Sequence, residues 1–182
     1  MADLTEQVFG KRLSISEAWD LVQAAEIDAE SASESSPVWV ASVGYERHKD
    51  NREFARMLAD ARVERLVDVR ELPISRRRGY AKTALGEAVA EFGIEYVHMK
   101  ALGNPKPLRD LYKSGRVEDG EEGYREFLLS ERQDALEDLV HLLESKRTVL
   151  MCVEDDAATC HRSVIINALR ARLGQLEVVD IS

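Results

Sequence analysis

Hydrophobic and polar positions along this chain fall into short, sharply bounded blocks. Val38–Val43 (VWVASV), Arg65–Val69 (RLVDV), Ile94–His98, Thr148–Val153 (TVLMCV) and Leu176–Ile181 are apolar runs of strand length. Between them the period lengthens to that of a helix. Phe54, Met57, Leu58 and Ala61 share one face of a helix over Asn51–Ala61. Thr83 is a candidate cap for a second helix that runs to Phe92 and ends at Gly93. Two more helices are expected over Gly120–Leu129 and Glu131–Glu144. A last one opens at Thr159 or Cys160, runs to about Leu173 and stops at Gly174. The segment containing Gly103-Asn-Pro-Lys-Pro reads as a loop.

Strands separated by helices imply βαβ crossovers. The expected fold class is therefore α/β, a mostly parallel sheet of about five strands flanked by helices on both faces, with a short N-terminal helical appendage. The near-continuous apolar run of Thr148–Val153 marks a strand covered on both sides. The appendage is expected over residues 1–37. Trp19, Leu21, Val22 and Ala25 give it an apolar stripe, Ser16 a cap, and the small polar run from Ser31 to Pro37 a linker. It either docks on the α/β domain (38–182) or meets a partner.

A length of 182 residues suits one such domain, and 45% hydrophobic residues can fill its core. No run approaches the roughly 18 uncharged apolar residues of a membrane helix, so no membrane contact is expected. The N-terminus lacks the basic-then-apolar pattern of a secretory signal, which points to a cytoplasmic location. The two cysteines, Cys152 and Cys160, are then expected to be reduced. A net charge of −9 argues against a nucleic-acid binder that uses its whole surface. It leaves room for a local anion site.

In open parallel sheets, ligands sit beyond the carboxyl ends of the strands. The first strand here ends in Val43-Gly-Tyr45-Glu-Arg, the second in Asp68-Val-Arg70, the third in Tyr96 and His98, and the fourth in Cys152 and Glu154. Four polar strand ends make a pocket expectation. The stretch from Arg70 to Lys82 carries five basic residues against one acid and includes Ser75 and Arg76–Arg78. Arginines in such a place suit a phosphate, a carboxylate or a nucleic-acid backbone; the alternative is a solvated charge run. Asp68 can orient Arg70. Cys160, with His161 and Arg162 beside it near a helix start, is placed to favour its thiolate. It is a nucleophile, a wall of an anion site, or a structural residue whose neighbour Arg162 pairs with Glu154 or Asp155. Spacing excludes a phosphatase-type loop, because the position six after Cys160 is Ile166. It also excludes a CxxC pair, a P-loop and a dinucleotide-binding fingerprint. A metal set of Cys160, His161 and His98 is disfavoured because adjacent ligands diverge on a helix, and no metal is assigned.

Taken together, Ser42-Val-Gly-Tyr-Glu, Leu66-Val-Asp-Val-Arg-Glu-Leu-Pro-Ile-Ser, Gly93-Ile-Glu-Tyr-Val-His and Ala101-Leu-Gly-Asn-Pro form an ordered series. It continues with the segment around Tyr124, Cys152-Val-Glu-Asp-Asp and Cys160-His-Arg. In that order they resemble the family called domain of unknown function 488, over about Val38 to Leu173. The resemblance implies an α/β domain with a polar pocket and implies no reaction. Where relatives often carry Gly-His-Ser, this chain reads Gly44-Tyr45-Glu46.

Three functions follow as expectations. The first is an enzyme for an anionic substrate that is phosphate-bearing, a nucleotide or derived from nucleic acid. In it Cys160, Glu154 and His98 would be catalytic, and Arg70, Arg162, Tyr45, Asp68, His161 and Ser75 would bind the substrate. The second is a noncatalytic module that binds a nucleotide or nucleic acid through the same pocket. The third is a protein-interaction module working through the N-terminal helix. No cofactor is assigned, and self-association is left open.

Overall fold

The computed structural model describes residues 37–181. All but the last residue of the expected appendage therefore lies outside the described residues. The strands are β1 (Val38–Gly44), β2 (Arg65–Asp68), β3 (Glu95–His98), β4 (Thr148–Cys152) and β5 (Leu176–Asp180). They form one sheet in the order β3-β2-β4-β1-β5, with every pairing parallel. The expected α/β class holds. The register aligns Asp68 with Met151 and Gly44 with Cys152, so the strands run out at nearly one level and their exits share a rim.

Helices α1 (Asn51–Asp60) and α2 (Lys82–Ala90) cover one face. Phe54, Leu58, Leu85 and Val89 pack there on Trp39, Ala41, Val43, Leu66, Val149 and Met151. The opposite face is covered by α4 (Val117–Glu131), α5 (Gln133–Ser145) and α6 (Arg162–Leu173). Their Tyr124, Leu136, Leu139 and Ile165 meet Val40, Val67, Leu150 and Cys152. Alternate residues of β4 thus point into two separate cores, as its unbroken apolar run requires. The connection leaving β1 leads to β2 on one side of β4, whereas the one leaving β4 leads to β5 on the other side of β1. Between strands whose connections diverge, a crevice opens at the carboxyl ends.

Several local signals act as read from the sequence, and others do not. Gly174 takes a positive φ of 67° and ends α6. Asp50 rather than a helix residue caps α1, accepting from the amides of Arg52 and Glu53. Thr83 does not cap α2, which starts at Lys82 with no side-chain cap. The largest departure is α3 (Lys106–Lys113), in a stretch read as loop. Pro105 and Pro107 sit at its N-terminal end, where a missing N–H costs nothing. Leu108, Leu111 and Tyr112 form its inner face by the i, i+3, i+4 rule.

Two glycines allow loops to pass closely. A Cβ at Gly44 would collide with the Glu154 carbonyl and the Asp155 Cα, and one at Gly103 would collide with the backbone of Glu71. Gly86, by contrast, lies inside α2, where a Cβ would meet the Tyr96 ring at an ordinary 3.6 Å. Gly44→Ala is expected to cost roughly 1–3 kcal/mol by forcing backbone apart. Gly86→Ala should stabilise by up to about 1 kcal/mol through helix propensity. Urea unfolding midpoints should move in opposite directions for the two variants.

Candidate active site

The chain leaving β4 turns back across the end of β1, and several contacts fix its course. The amides of Tyr45 and Glu46 donate to the Val153 carbonyl at 3.2 and 3.0 Å. Glu46 accepts from the Asp155 amide at 2.8 Å, and Arg47 pairs with Asp155 at 3.0 Å. Fully buried Arg162 donates to the Glu154 carbonyl from the opposite side. Held this way, Glu154 presents its carboxyl group 3.2 Å from the Cys160 sulfur.

Cys160 itself has extended backbone (φ −138°, ψ 145°) and lies before α6, whose N-cap is His161. Because neither residue is inside the helix, their side chains converge instead of diverging. His161 Nδ1 lies 3.5 Å from Cys160 Sγ, and its Nε2 is 3.0 Å from the Val69 carbonyl. Cys152 ends β4 on the same side. The two sulfurs and one His161 ring nitrogen all lie within 4.8 Å of one another. That cluster is small enough to close on a soft cation.

Burial would push the Cys160 thiol up. The Cys152 thiol directed at its sulfur, then the charges of His161 and Arg162, reverse this and hold it well below the usual thiol range. The Cys152 thiol is raised by the same contact and by burial. Burial also raises Glu154, helped by the charge on Cys160. In His161, burial favours the neutral ring, but the Cys160 charge and hydrogen bond and the Val69 carbonyl together raise the group. These shifts lower the Cys160 thiol and raise both the His161 ring and the Glu154 carboxyl group beside it.

These groups line a cavity of about 470 Å³. Arg70, Glu71, Leu72 and Ile74 from the exit of β2 form one wall, and Asn104, Arg109, Tyr112 and Lys113 form another. Two wall groups have no hydrogen-bond partner among the described residues: Asn104 Oδ1 and the Tyr112 hydroxyl. Burial, reinforced by nearby Glu121, Cys160 and Glu154, pushes the Tyr112 phenol up, so it is a neutral donor. Buried polar groups in folded proteins are almost always satisfied, and these two unpartnered atoms belong to residues of one cavity wall. Leu72 and Ile74 are exposed at its mouth. Alongside runs a groove lined by Tyr45, Glu46, Ser75, Arg76, Arg77 and Lys113.

Residues 50–169 match a protein family described as Domain of unknown function DUF488. The chain belongs to this family. No curated protein and no solved structure matches it. The DUF488 match spans the cavity walls and the cysteine cluster. The Gly44-Tyr45-Glu46 turn lies just before it, where Glu46 secures the loop that carries Glu154.

Of the residues singled out in the sequence, Cys160, Glu154, His161 and Arg70 come together on the cavity. Arg70 nevertheless has most of its donors in use. It meets Asp68 through Nε at 2.8 Å and Nη2 at 2.5 Å, and through Nη1 it reaches the Tyr45 hydroxyl at 3.1 Å and the Tyr80 carbonyl at 2.9 Å. Asp68 also accepts from Tyr96 at 2.5 Å. Asp68 is fully buried and orients Arg70; it does not line the cavity. His98 hydrogen-bonds the Arg70 carbonyl at 2.8 Å, outside the cavity. Arg162 stands behind the wall as a strut, bonded to backbone carbonyls and not to the Glu154 or Asp155 carboxylates. Tyr45 and Ser75 line the neighbouring groove, 3.3 Å apart at their hydroxyls. Asn104, Arg109, Tyr112 and Lys113 escaped the sequence reading. The Leu108, Leu111, Tyr112 spacing after two prolines is the signal that could have found the helix carrying the last three.

Removing Asp68 strands a buried guanidinium. Asp68→Ala should cost roughly 3–5 kcal/mol. Tyr96→Phe removes only one hydrogen bond to the same carboxylate and should cost about 1 kcal/mol. Chemical denaturation of the two variants will distinguish a buried-charge penalty from simple loss of a contact.

Proposed function

We propose that this protein is an enzyme that uses Cys160 as a nucleophile on an anionic substrate bound in the cavity. The observation that carries the reading is the Cys160–His161 pair, with the Glu154 carboxyl group 3.2 Å from the sulfur. A thiolate is the reactive form of cysteine, and an adjacent imidazolium sustains it near neutral pH. Glu154, its carboxyl group raised by burial and by the charge on Cys160, is placed to give a proton to a leaving group. As a carboxylate it can then draw a proton from the water that releases the product. The Val69 carbonyl holds the imidazole orientation.

Substrate recognition divides among three parts of the site. Tyr112 and Asn104, on the cavity wall, carry hydrogen-bonding atoms that a polar ligand can engage once the wall adjusts. Arg109 and Lys113 place positive charge on its wall, although Arg109 is shared with Glu71. Arg76 and Arg77 extend that charge along the groove, which favours a phosphate-bearing substrate such as a nucleotide or the end of a nucleic acid. Arg70, nearly saturated by Asp68, Tyr45 and Tyr80, shapes the wall that the anion meets. The noncatalytic reading uses the same cavity without attack at sulfur, and thiol reactivity separates the two.

Iodoacetamide should modify Cys160 in preference to Cys152 at pH 7, with an apparent pKa below the free-thiol value of about 8.5. Because the thiolate is the reacting form, the rate should rise through that lowered pKa and then level off. His161→Ala removes the counter-charge and should move the midpoint up, slowing modification at pH 7 by about tenfold or more. Equal sluggishness of both thiols would leave binding alone. Lys113→Ala should weaken binding of a short single-stranded oligonucleotide by about fivefold, the equivalent of roughly 1 kcal/mol. An R76A/R77A variant should flatten the salt dependence of that binding.

A further inference from the structure

Nucleophilic attack by Cys160 leaves a second thiol of the same cavity without a task. Cys152 is 6% exposed, lines the cavity wall, and holds its sulfur within 4.8 Å of the Cys160 sulfur. Eight positions separate the two residues in sequence, and the turn over Gly44 brings them together. Neither is locked inside a helix: Cys152 is the last residue of β4, and Cys160 is extended before α6. Closing the gap to the roughly 2.05 Å of a disulfide requires the intervening loop to move. The thiols also differ in kind. Cys160 hydrogen-bonds His161 and has Arg162 behind it, whereas the contact with Cys160 and burial push the Cys152 thiol up.

We propose that Cys160 and Cys152 form a redox pair in which Cys160 reacts with a hydroperoxide and Cys152 resolves the product as an intramolecular disulfide. The inference rests on the thiolate reading of Cys160 but not on the identity of any substrate. In the first step the Cys160 sulfur forms a bond to the terminal oxygen of the hydroperoxide and the O–O bond breaks. Sulfur is oxidised to the sulfenic acid, and the peroxide is reduced to an alkoxide or hydroxide. That leaving oxygen takes the Glu154 or His161 proton. In the second step the Cys152 sulfur attacks the Cys160 sulfur. The S–S bond forms, the S–O bond breaks, and the departing hydroxide takes the Cys152 proton to leave as water. The sum converts two thiols and one hydroperoxide into a disulfide, an alcohol and water. An external dithiol restores the pair, and while the disulfide persists the nucleophile is masked.

The groups facing Cys160 are Cys152 from β4, Glu154 from the loop, His161 and Arg162 at α6, Tyr112 from α3 and Tyr124 from α4. None of the others is a thiol, so no third residue competes for the sulfenic acid.

The test is exposure of the reduced protein to hydrogen peroxide with dimedone present, followed by peptide mass spectrometry without reduction. The expected product is a Cys152–Cys160 disulfide that dithiothreitol reverses, with little dimedone on Cys160. C152A, or C152S where the smaller side chain unfolds the core, should accumulate dimedone-labelled Cys160 and then its sulfinic acid. C160S should leave Cys152 unoxidised. The inference is overturned if the natural protein itself accumulates labelled or sulfinic Cys160 while Cys152 stays free. It is equally overturned if the disulfide forms only after a chelator strips a divalent cation, since the sulfurs would then be its resting ligands. Rapid alkylation of Cys160 without any disulfide would sink the redox pair and leave the proposed enzyme standing. Slow alkylation together with an inert response to peroxide would remove both.

Discussion

Everything at the rim depends on one close backbone passage, that of Glu154 and Asp155 over Gly44. Without it the chain after β4 could not fold back toward Cys160 and still bury its polar groups. The passage is over-determined: two amides converge on the Val153 carbonyl, the Glu46 carboxylate takes the Asp155 amide, and Arg162 grips the Glu154 carbonyl from within. Such redundancy holds the Glu154 carboxyl group against the Cys160 sulfur, an arrangement that repels itself when both are charged. That repulsion raises the Glu154 carboxyl group, and His161 on the other side of the sulfur offsets it. The placement of Glu154 and the surroundings of Cys160 are therefore set by the same loop.

A second set of contacts, one strand away, is of another kind. Asp68, Arg70, Tyr45, Tyr96 and the Tyr80 carbonyl form a buried polar cluster, and the Tyr45 and Tyr80 hydroxyls extend it to Ser75 and the Asp50 carbonyl. Tyr45 and Tyr80 stack at 4.6 Å, and burial pushes the Tyr80 phenol up to about 12. A network this fully satisfied is rigid. It fixes the exit of β2 and hence the wall bearing Leu72 and Ile74, and it holds Arg70 against movement toward a ligand. The basic character visible in the sequence from Arg70 onward is thus divided. Arg70 is part of the frame, while Arg76 and Arg77 face the groove.

Much of the fold could be read from the chain because the strands are apolar runs with clear ends and the crossovers have few solutions. β4 is the best case, its five residues uniformly apolar or small enough to sit between two cores. The site was legible only in part. Arg70 and Glu154 lie two positions past strand ends, where parallel topology brings them to one rim, and Cys160 and His161 reach it at the start of the helix that follows β4. Asn104, Arg109, Tyr112 and Lys113 depend on the approach of Gly103 to Glu71, a contact between segments about thirty residues apart that no local pattern encodes. Cys160 shows a subtler limit. Proximity to a helix start suggested that the helix perturbs its thiol, whereas the residue stops short of the helix and takes its perturbation from Cys152 and His161.

Arg162 has a consequence that reaches beyond support of the loop. Its side chain is wholly enclosed, and its Nε and Nη1 lack partners among the described residues. A guanidinium does not lose its proton at any pH a protein survives. The sulfur of Cys160 therefore has behind it a fixed positive charge that neither acid nor base can switch off. Acidification can neutralise the carboxylate and the thiolate, but it cannot erase the field that this arginine casts across the floor of the cavity.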